Sequence, residues 1–234
     1  MMLGEISVLD HGFVRLVDSV PTEDGAGDAR IVQAARVSYA GETKRLRSDD
    51  GLIRYLVRNR HTTPLEQVIY TFHVKCPISV ARQFMRHRTW SFNESSTRYR
   101  KVAPDECYLP LPERMQRQDV KNRQGSGDQL IDDTEMAIAV MEASNLRSFN
   151  TYERLLQMGL AREVARGVLP LDTYTEFYGT IDLHNLMHFL GLRLDAHAQW
   201  EIRQYAQALE ELASPLCPVA FEAWHQPASG ESAQ

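Results

Sequence analysis

The sequence predicts a globular protein of the α/β (α+β) class that forms a single domain. Segments with the two-residue apolar period of strands are interspersed with longer segments that have the helical period, and long helices dominate. A chain of 234 residues with 43% apolar residues is long enough to bury a substantial core. No internal repeat divides it, so we predict one domain over residues 1–225 and a flexible C-terminal tail over residues 226–234.

Three segments have the composition and the period of strands. Residues 68–75 are the clearest example, because apolar side chains occupy every second position. Residues 12–17 and 173–181 are the other two segments. One face of the 68–75 strand is fully apolar, so we expect that face to be buried.

Helical periodicity recurs between these strands. Pro77 suits the first turn of a helix over residues 77–88, and Asp182 suits the cap of the helix that follows it. The Gly- and Asp-rich segments 22–28 and 116–128 are interpreted as loops. The other predicted helices contain Ile31, Ala34, Ala35 and Ser38, residues 52–56 with Asp49 or Asp50 as the cap, residues 132–158, residues 162–166, and residues 195–215.

The charge distribution narrows the possible partners. The formal net charge is −5, but residues 82–101 carry six basic residues and one acidic residue, Glu94. A basic island in an acidic chain indicates a local anionic ligand and argues against an extended nucleic acid partner.

Cysteine content and targeting signals suggest the compartment. Cys76, Cys107 and Cys217 are scattered and form no CxxC pair, which argues against a disulfide framework and a cysteine-zinc site. No apolar run approaches the length of a transmembrane helix, and the N-terminus lacks the basic and apolar regions of a secretion signal. We therefore expect a cytoplasmic protein without a membrane partner.

The most informative segment covers residues 86–99 and reads RHRTWSFNESSTRY. Guanidinium groups bind phosphate in a bidentate way, hydroxyl groups fill the remaining phosphate oxygens, and a flat aromatic ring can stack on a base. This inventory suits a phosphorylated nucleotide. In the predicted helix before it, Arg82, Gln83 and Arg86 lie on one side, so Gln83 and Arg86 can reach a common ligand.

Two other interpretations of this basic segment are open from the residues alone. It could be a helix end that the helix dipole favours, followed by a solvated polar turn. With Trp90, Phe92 and Tyr99 it could also form a stacking platform for single-stranded nucleic acid. The acidic net charge and the presence of Glu94 disfavour the platform.

A metal site is a further interpretation, at another place in the chain. His184 and His188 are four residues apart on a predicted helix, as many metal-binding histidines are. Asn185, however, stands where a HExxH motif has its general-base glutamate. We therefore predict no metal ligands.

The 86–99 segment resembles the signature of the flavin-dependent thymidylate synthases. That pattern specifies RHR, two variable residues, S, one variable residue, NE, one variable residue, S, one variable residue and RY, and each specified position is matched. The resemblance covers most of the chain from Ala34 to Trp224, without the 116–128 loop. Further matched elements are HTTPLE at 61–66, ARQ at 81–83, RGVLP at 166–170, and the stretch from LR at 192–193 to HAQ at 197–199.

The resemblance implies a fold, an activity and an assembly. The implied fold is a central mixed or antiparallel sheet flanked by long helices. The implied enzyme is a methyltransferase that converts dUMP to dTMP, with 5,10-methylenetetrahydrofolate as carbon donor, FAD as hydride carrier and NADPH as reductant. In this family each pocket is shared between the subunits of a homotetramer.

Carried over position by position, the family's pockets also imply binding residues. FAD binding falls on Thr63, Arg86, His87, Arg88, Glu94, Asp182, Leu183, His184 and His188. Binding of dUMP falls on Gln83, Arg86, Glu94, Ser95, Ser96, Thr97, Arg98, Arg166 and Arg193. Relatives often have Asn at the position of Asp182, and a carboxylate near flavin phosphates is unfavourable unless it caps its helix or meets an arginine. No GxGxxG fingerprint supports FAD binding independently.

A mechanism without a cysteine nucleophile fits the residues. Cysteine-dependent thymidylate synthases attack uracil with a thiolate in a Pro-Cys-His context, whereas Cys107 lies in Glu-Cys-Tyr and Cys217 in Leu-Cys-Pro. With a reduced flavin, hydride can pass directly to the pyrimidine, and the protein need only orient the rings and stabilise negative charge. We assign this stabilisation to Arg193 as the predicted catalytic residue, because its fixed cation favours an ionised N3.

Overall fold

The fold is built on a five-stranded antiparallel sheet. A computed structural model describes residues 4–37, 48–104 and 106–226. The strands in this part of the chain are β1 Gly4–Val8, β2 Gly12–Val20, β3 Ile69–Pro77, β4 Ser91–Glu94, β5 Gln116–Gln118, β6 Ser126–Leu130 and β7 Tyr174–Asp182. The main sheet has the order β1-β2-β3-β7-β4, and every neighbouring pair is antiparallel. Strands β5 and β6 form a separate hairpin.

Helices connect and cover the strands of the main sheet. They are α1 Ala26–Arg36, α2 Asp49–Arg58, α3 Ile78–Phe84, α4 Thr134–Gln157, α5 Arg162–Ala165, α6 Leu183–Arg193, α7 Trp200–Ala213 and α8 Pro218–His225. This architecture confirms the predicted α/β domain with an antiparallel sheet and flanking helices. The predicted domain boundary at residue 225 stays a prediction.

Strand β3 lies at the centre of the sheet because one of its faces is continuous apolar surface. Tyr70, Phe72 and Val74 are fully buried, and so is Val68 immediately before the strand. Side chains of α3, α6 and α7 belong to the same core cluster as these residues. Burial of each such side chain stabilises the fold by about 1.5–3 kcal/mol, so this face determines where the three helices sit.

The cap of α2 differs from the prediction. The Ser48 hydroxyl accepts a hydrogen bond from the Gly51 backbone N–H at 3.2 Å, so Ser48 is the cap. Asp49 and Asp50, the predicted candidates, lie in the first helical turn instead. Negative charge is favourable there because the N-terminus is the positive end of the helix dipole.

Two helices are shorter than the sequence predicts. Helix α3 ends at Phe84 instead of residue 88, so the RHR segment lies in the turn after the helix. Helix α7 begins at Trp200 instead of Asp195. The Asp195 carboxylate accepts a hydrogen bond from the His197 backbone N–H at 2.8 Å and holds a separate turn. Bonds of this kind compete with helix formation.

The local sequence pattern misses several short elements. The sequence pattern does not predict β1, β4 or α8. The segment 116–128, interpreted as a loop, contains β5 and the start of β6. Helix α1 likewise begins inside the supposed loop at 22–28. Short strands depend on their cross-strand neighbours, which a local pattern does not contain. The predicted helical position Ser38 and the tail residues 227–234 lie outside the described residues.

Helix α4 buries apolar side chains only in its C-terminal half. Phe149 and Tyr152 pack with Val102 in a second, smaller core cluster. Met136 and Val140, in the N-terminal half of the helix, are 59% and 61% exposed in this chain. In the part of the chain that the structure describes, no helix is both long and apolar enough to cross a membrane.

Helix α8 is attached to α1 through Asp28. The buried Asp28 carboxylate accepts hydrogen bonds from the Val219 backbone N–H at 2.8 Å and from the Ala220 backbone N–H at 3.1 Å. The first N–H groups of a helix have no partner within the helix, so a side chain from another element can satisfy them. Asp28 therefore caps α8, although it lies about 190 residues before that helix in the sequence.

Replacing Asp28 with Ala should lower the free energy of unfolding by about 1–2 kcal/mol, because two backbone donors of α8 lose their acceptor. Urea or thermal unfolding of the protein measures the change. The matched control is Asp24→Ala, at an exposed carboxylate in the loop before α1, which should shift stability by less than about 0.5 kcal/mol. Equal stability of the two variants would contradict the capping assignment.

Candidate functional site

Helix α3 separates the predicted nucleotide-binding residues into two groups. Arg82 lines a cleft beside β4, whereas Gln83 donates a hydrogen bond to Gln199 immediately before α7. Arg86 lies in the turn after the helix, close enough to Arg193 for the two positive charges to repel each other. The prediction that Arg82 shares one side with Gln83 and Arg86 is therefore wrong. Consecutive helical residues are about 100° apart, so neighbours in sequence reach different surfaces.

The first group lines a cleft of about 570 Å³, which we call the hydroxyl cleft. The Arg166 guanidinium donates a hydrogen bond to the Thr97 hydroxyl at 3.1 Å. The Thr175 hydroxyl donates to the Glu94 carboxylate at 2.7 Å. Guanidinium groups beside hydroxyl groups form the predicted inventory for binding phosphate. The polar lining comprises Arg82, Glu94, Ser95, Ser96, Thr97, Arg166 and Thr175.

Arg86, His87 and Arg193 form the second group, which we call the cation cluster. The Arg193 Nε donates a hydrogen bond to His87 Nε2 at 3.1 Å. Burial, together with the charges of Arg193 and His188, lowers the pKa of His87 to about 4, so the ring is neutral and can accept this bond. Burial and the charge of Arg86 also lower the pKa of Arg193, but a guanidinium remains charged at neutral pH.

The cation cluster has no acidic counterpart in the described chain. No carboxylate among these residues lies within 4.0 Å of Arg86 or Arg193. Two guanidinium groups therefore stand beside a neutral ring with no negative partner among the residues that the structure describes. Such an arrangement favours an anion as its ligand.

Helix α6 brings Arg193 to His87. The His87 ring is 9% exposed and packs edge-on against Phe189, with 4.8 Å between the ring centroids. Phe189 and Arg193 are four residues apart, so both lie on the same side of α6. The aromatic contact holds the imidazole where the guanidinium one turn later can donate to it.

The Gln83 amide belongs to a chain of hydrogen bonds that runs from α3 to the start of α7. Gln83 Nε2 donates to Gln199 Oε1 at 2.7 Å, and Gln199 Nε2 donates to Glu201 Oε2 at 2.8 Å. Glu201 is 7% exposed. The only sequence signal was the position of Gln199 in the matched HAQ element.

Other basic residues of the 82–101 segment are paired with acidic residues from elsewhere in the chain. The segment has a single acidic residue of its own, but the fold supplies three carboxylates to it. Arg98, a predicted dUMP ligand, is one of the paired residues in this chain. The ion pairs are Arg98 with Glu163 at 3.1 Å, Arg100 with Glu106 at 2.8 Å, and Lys101 with Glu153 at 2.7 Å.

The aromatic residues of the segment do not form a common platform. Trp90 is only 6% exposed and stacks on Phe92 with 5.7 Å between the ring centroids. Tyr99 is 82% exposed. The packing of Trp90 in the core disfavours a stacking surface for single-stranded nucleic acid, because such a surface needs exposed rings.

A second cavity, of about 530 Å³, lies between the end of α2, α6 and α8, and we call it the histidine cavity. His184 and His188, two predicted FAD ligands, line it together with His61. Arg58, Arg60 and Trp224 also line it, and the prediction missed them. The available sequence signal for this part of the cavity was the pair Arg58 and Arg60, which lies directly before the matched HTTPLE element. Basic groups and an indole suit a phosphorylated ligand with a flat ring.

The other predicted FAD residues do not meet in the histidine cavity of one chain. Asp182 caps α6 by accepting a backbone N–H at 2.9 Å, which confirms its predicted capping role. Leu183 is fully buried in the core, so only its backbone can contact a ligand. Glu94 lies in the hydroxyl cleft, and Thr63 and Arg88 are exposed.

The three cysteine thiols are poor nucleophiles. Burial raises the pKa of Cys76 well above its ordinary value, and raises that of Cys217 to about 12. Burial, with smaller effects of nearby aspartates, raises the pKa of Cys107 to about 11. At neutral pH these groups are protonated thiols, whereas thiolates are the reactive form. Within the described ranges, no three His, Cys, Asp or Glu side chains cluster as metal ligands.

Comparison with known proteins shows the family of this chain. The family model described as thymidylate synthase complementing protein (Thy1) matches residues 15–219. The flavin-dependent thymidylate synthase of Thermus thermophilus is 51% identical over 221 residues, which cover 94% of this chain and 78% of that protein. The enzyme of the same name from Wolbachia pipientis wMel is 48% identical over 222 residues, covering 94% of this chain and 76% of that protein.

Two solved structures of the UMP/dUMP methylase PolB from Streptomyces cacaoi share the fold. The structure with 5-Br dUMP has a TM-score of 0.79 and 40% identity and covers 94% of this chain and 97% of that chain. The structure with 5-Br UMP has a TM-score of 0.80 and 39% identity and covers 94% and 96%. The predictions of the fold and of a methyltransferase enzyme are thereby confirmed. The chain belongs to the thymidylate synthase complementing protein (Thy1) family, the family of the flavin-dependent thymidylate synthases.

Proposed function

We propose that the protein methylates dUMP to dTMP in the cytoplasm as a flavin-dependent thymidylate synthase. The carbon donor is 5,10-methylenetetrahydrofolate, the hydride carrier is FAD, the reductant is NADPH, and tetrahydrofolate is released. Family membership and the names of the relatives support the methylation of a uridylate. The folate donor and NADPH rest on the sequence resemblance.

The cation cluster is the observation that carries this proposal. Arg193 and Arg86 present positive charge without a carboxylate partner in the described chain, beside the neutral ring of His87. A nucleotide whose pyrimidine gains negative charge during the reaction supplies the missing anion. Preorganised charge at such a position stabilises a transition state more than a mobile solvent does.

Arg193 is the residue that stabilises the pyrimidine in this proposal. Its cation favours ionisation at N3, and an ionised N3 makes C5 a better nucleophile towards the one-carbon unit. His87 accepts the Nε–H bond of Arg193 at 3.1 Å, which leaves the other guanidinium N–H groups for the ligand. When bound, the reduced flavin supplies the hydride that completes the methyl group.

The hydroxyl cleft is the proposed site of the dUMP phosphate. Arg166 and the hydroxyls of Ser95, Ser96 and Thr97 face this space, and Arg82 adds a second guanidinium. Charge-assisted hydrogen bonds from such groups position a phosphate without reacting with it. The phosphate thus fixes the nucleotide while the pyrimidine ring reaches Arg193.

The histidine cavity is the proposed site of part of the FAD. His184 and His188 offer ring nitrogens, Arg58 and Arg60 offer cations, and Trp224 offers a flat surface. These groups fit a pyrophosphate and an aromatic ring system. The exposed Arg88 and Thr63 are available to complete the FAD site from a neighbouring subunit.

The proposed assembly is a homotetramer with shared sites, as the sequence resemblance implies. In one chain, Arg82 lines the hydroxyl cleft whereas Gln83, the next residue of α3, bonds to Gln199, which supports a dUMP site that two subunits share. Met136, Val140 and Leu146 of α4 are each about 60% exposed, which suits burial between subunits.

The reaction should convert dUMP to dTMP with one equivalent of tetrahydrofolate. The assay is an anaerobic incubation of the FAD-loaded protein with dUMP, 5,10-methylenetetrahydrofolate and NADPH, followed by chromatography of the nucleotides and folates. Dihydrofolate as the stoichiometric product would show that the folate, not the flavin, supplies the hydride. The control is the flavin-free protein assayed without added FAD, which should show no turnover.

Removing all three thiols should leave kcat within about threefold of the wild-type value, because no step of the proposed reaction uses a thiolate. The variant is Cys76→Ala/Cys107→Ala/Cys217→Ala, and the single Cys107→Ala is its matched control, since Cys107 is the most exposed of the three. Loss of activity in a folded, FAD-loaded triple variant would contradict a mechanism without a cysteine nucleophile.

Arg193→Ala and Arg166→Ala should each lower kcat by about 100-fold or more, because each removes a cation from the dUMP site. Co-expression of the two variants should restore activity to about one quarter of wild type, since random assembly of a symmetric oligomer leaves that share of shared sites intact. Arg123→Ala, at an exposed arginine of the β5–β6 hairpin, is the control and should keep full activity. An inactive mixture of soluble variants would mean that one subunit contains both groups.

A further inference from the structure

Three side chains connect the predicted substrate ligand Gln83 to a buried carboxylate. Gln83 on α3 donates through Nε2 to Gln199 Oε1 at 2.7 Å. Gln199, at the residue before α7, donates through its own Nε2 to Glu201 Oε2 at 2.8 Å. The two glutamines are more accessible, whereas Glu201 is 7% exposed. The fixed end of the chain is therefore the carboxylate.

Glu201 is held by two further contacts on its other oxygen. The Tyr108 hydroxyl donates to Glu201 Oε1 at 3.3 Å, and Arg114 Nε lies 3.6 Å from the same oxygen. The Arg114 guanidinium also packs over the Trp200 ring at 4.8 Å from its centroid. A carboxylate between a hydroxyl donor and a guanidinium accepts hydrogen bonds and donates none.

This acceptor determines the direction of every amide in the chain. The Gln199 side chain must turn its NH₂ group to Glu201, because its carbonyl oxygen there would face a second acceptor. The Gln199 oxygen consequently faces Gln83, and Gln83 must turn its own NH₂ group to that oxygen. The Gln83 carbonyl oxygen is left facing away from the chain, and no donor among the described residues bonds to it.

We infer that Glu201 is a positioning residue that sets the orientation of the Gln83 amide through Gln199. The inference rests on the proposed function, in which Gln83 contacts dUMP. Gln83 then presents an acceptor, not a donor, to a hydrogen-bond donor of the nucleotide. A side-chain amide can rotate between its two orientations unless its neighbours distinguish them, and here the buried carboxylate makes the distinction.

Replacing the carboxylate with an amide reverses the direction of the chain without changing the shape of the side chain, because Tyr108 and Arg114 keep the introduced carbonyl oxygen and the introduced NH₂ group faces Gln199. Glu201→Gln should raise the Kd for dUMP about tenfold and leave kcat at saturating dUMP within about twofold, because a reversed Gln83 amide presents a donor to the nucleotide in place of an acceptor, which weakens binding rather than chemistry. Gln199→Met should have the same effect while it leaves the contacts of Glu201 with Tyr108 and Arg114 in place. Isothermal titration of the FAD-loaded oligomer with dUMP measures Kd.

A double variant restores the direction of the chain with the charge in a new place. In Gln199→Glu/Glu201→Gln, the carboxylate introduced at position 199 accepts from Gln83 and from the amide introduced at position 201. Gln83 again turns its NH₂ group inward, so the Kd for dUMP should return to within about threefold of wild type. A purely structural role of Glu201 predicts no such rescue, because the double variant moves the charge further from Arg114.

The outcomes separate the inference from the proposed function. Weakened dUMP binding in both single variants, with rescue in the double variant and unchanged FAD content, supports the positioning of Gln83 by Glu201. Wild-type affinity in the single variants, or a double variant no better than Glu201→Gln, overturns it. A wild-type oligomer that binds FAD but not dUMP overturns the proposed function, and the inference with it.

Discussion

The apolar face of β3 is the constraint on which the remaining structure depends. The side chains of Tyr70, Phe72 and Val74 are buried, and two of the helices that cover them end at or next to residues of the candidate site. Helix α6 ends at Arg193, and α3 ends just before the segment that contains His87. The hydrogen bond between Arg193 and His87 is therefore a consequence of core packing, because both helix ends are placed by the same buried surface.

The site that results places two guanidinium groups beside a buried imidazole. Removing His87 from water keeps its ring neutral, so the ring can orient Arg193 without competing for the anion. A protonated ring would instead repel the guanidinium. Catalysis by charge needs groups whose positions are set before the substrate binds, and an imidazole held by Phe189 meets that requirement.

Helix α3 directs neighbouring residues of the motif to two different surfaces of the chain. Side chains at consecutive helical positions reach different surfaces, so Arg82 meets the hydroxyl cleft while Gln83 meets α7. The motif from residue 81 to residue 99 is continuous in sequence but not in space. A signature of this kind therefore identifies the family correctly and still combines residues that one subunit does not bring together.

Local sequence features are enough to predict the class of the fold, the central strand, the Asp182 cap and the family, because apolar period, capping chemistry and a dense motif are all local properties. Tertiary structure decided the rest. The ion pairs of Arg98 and Lys101, the link from Asp28 to α8 and the chain from Gln83 to Glu201 join residues that are far apart in sequence. No local pattern encodes such contacts, because they exist only after burial of the β3 face has brought the separate elements together.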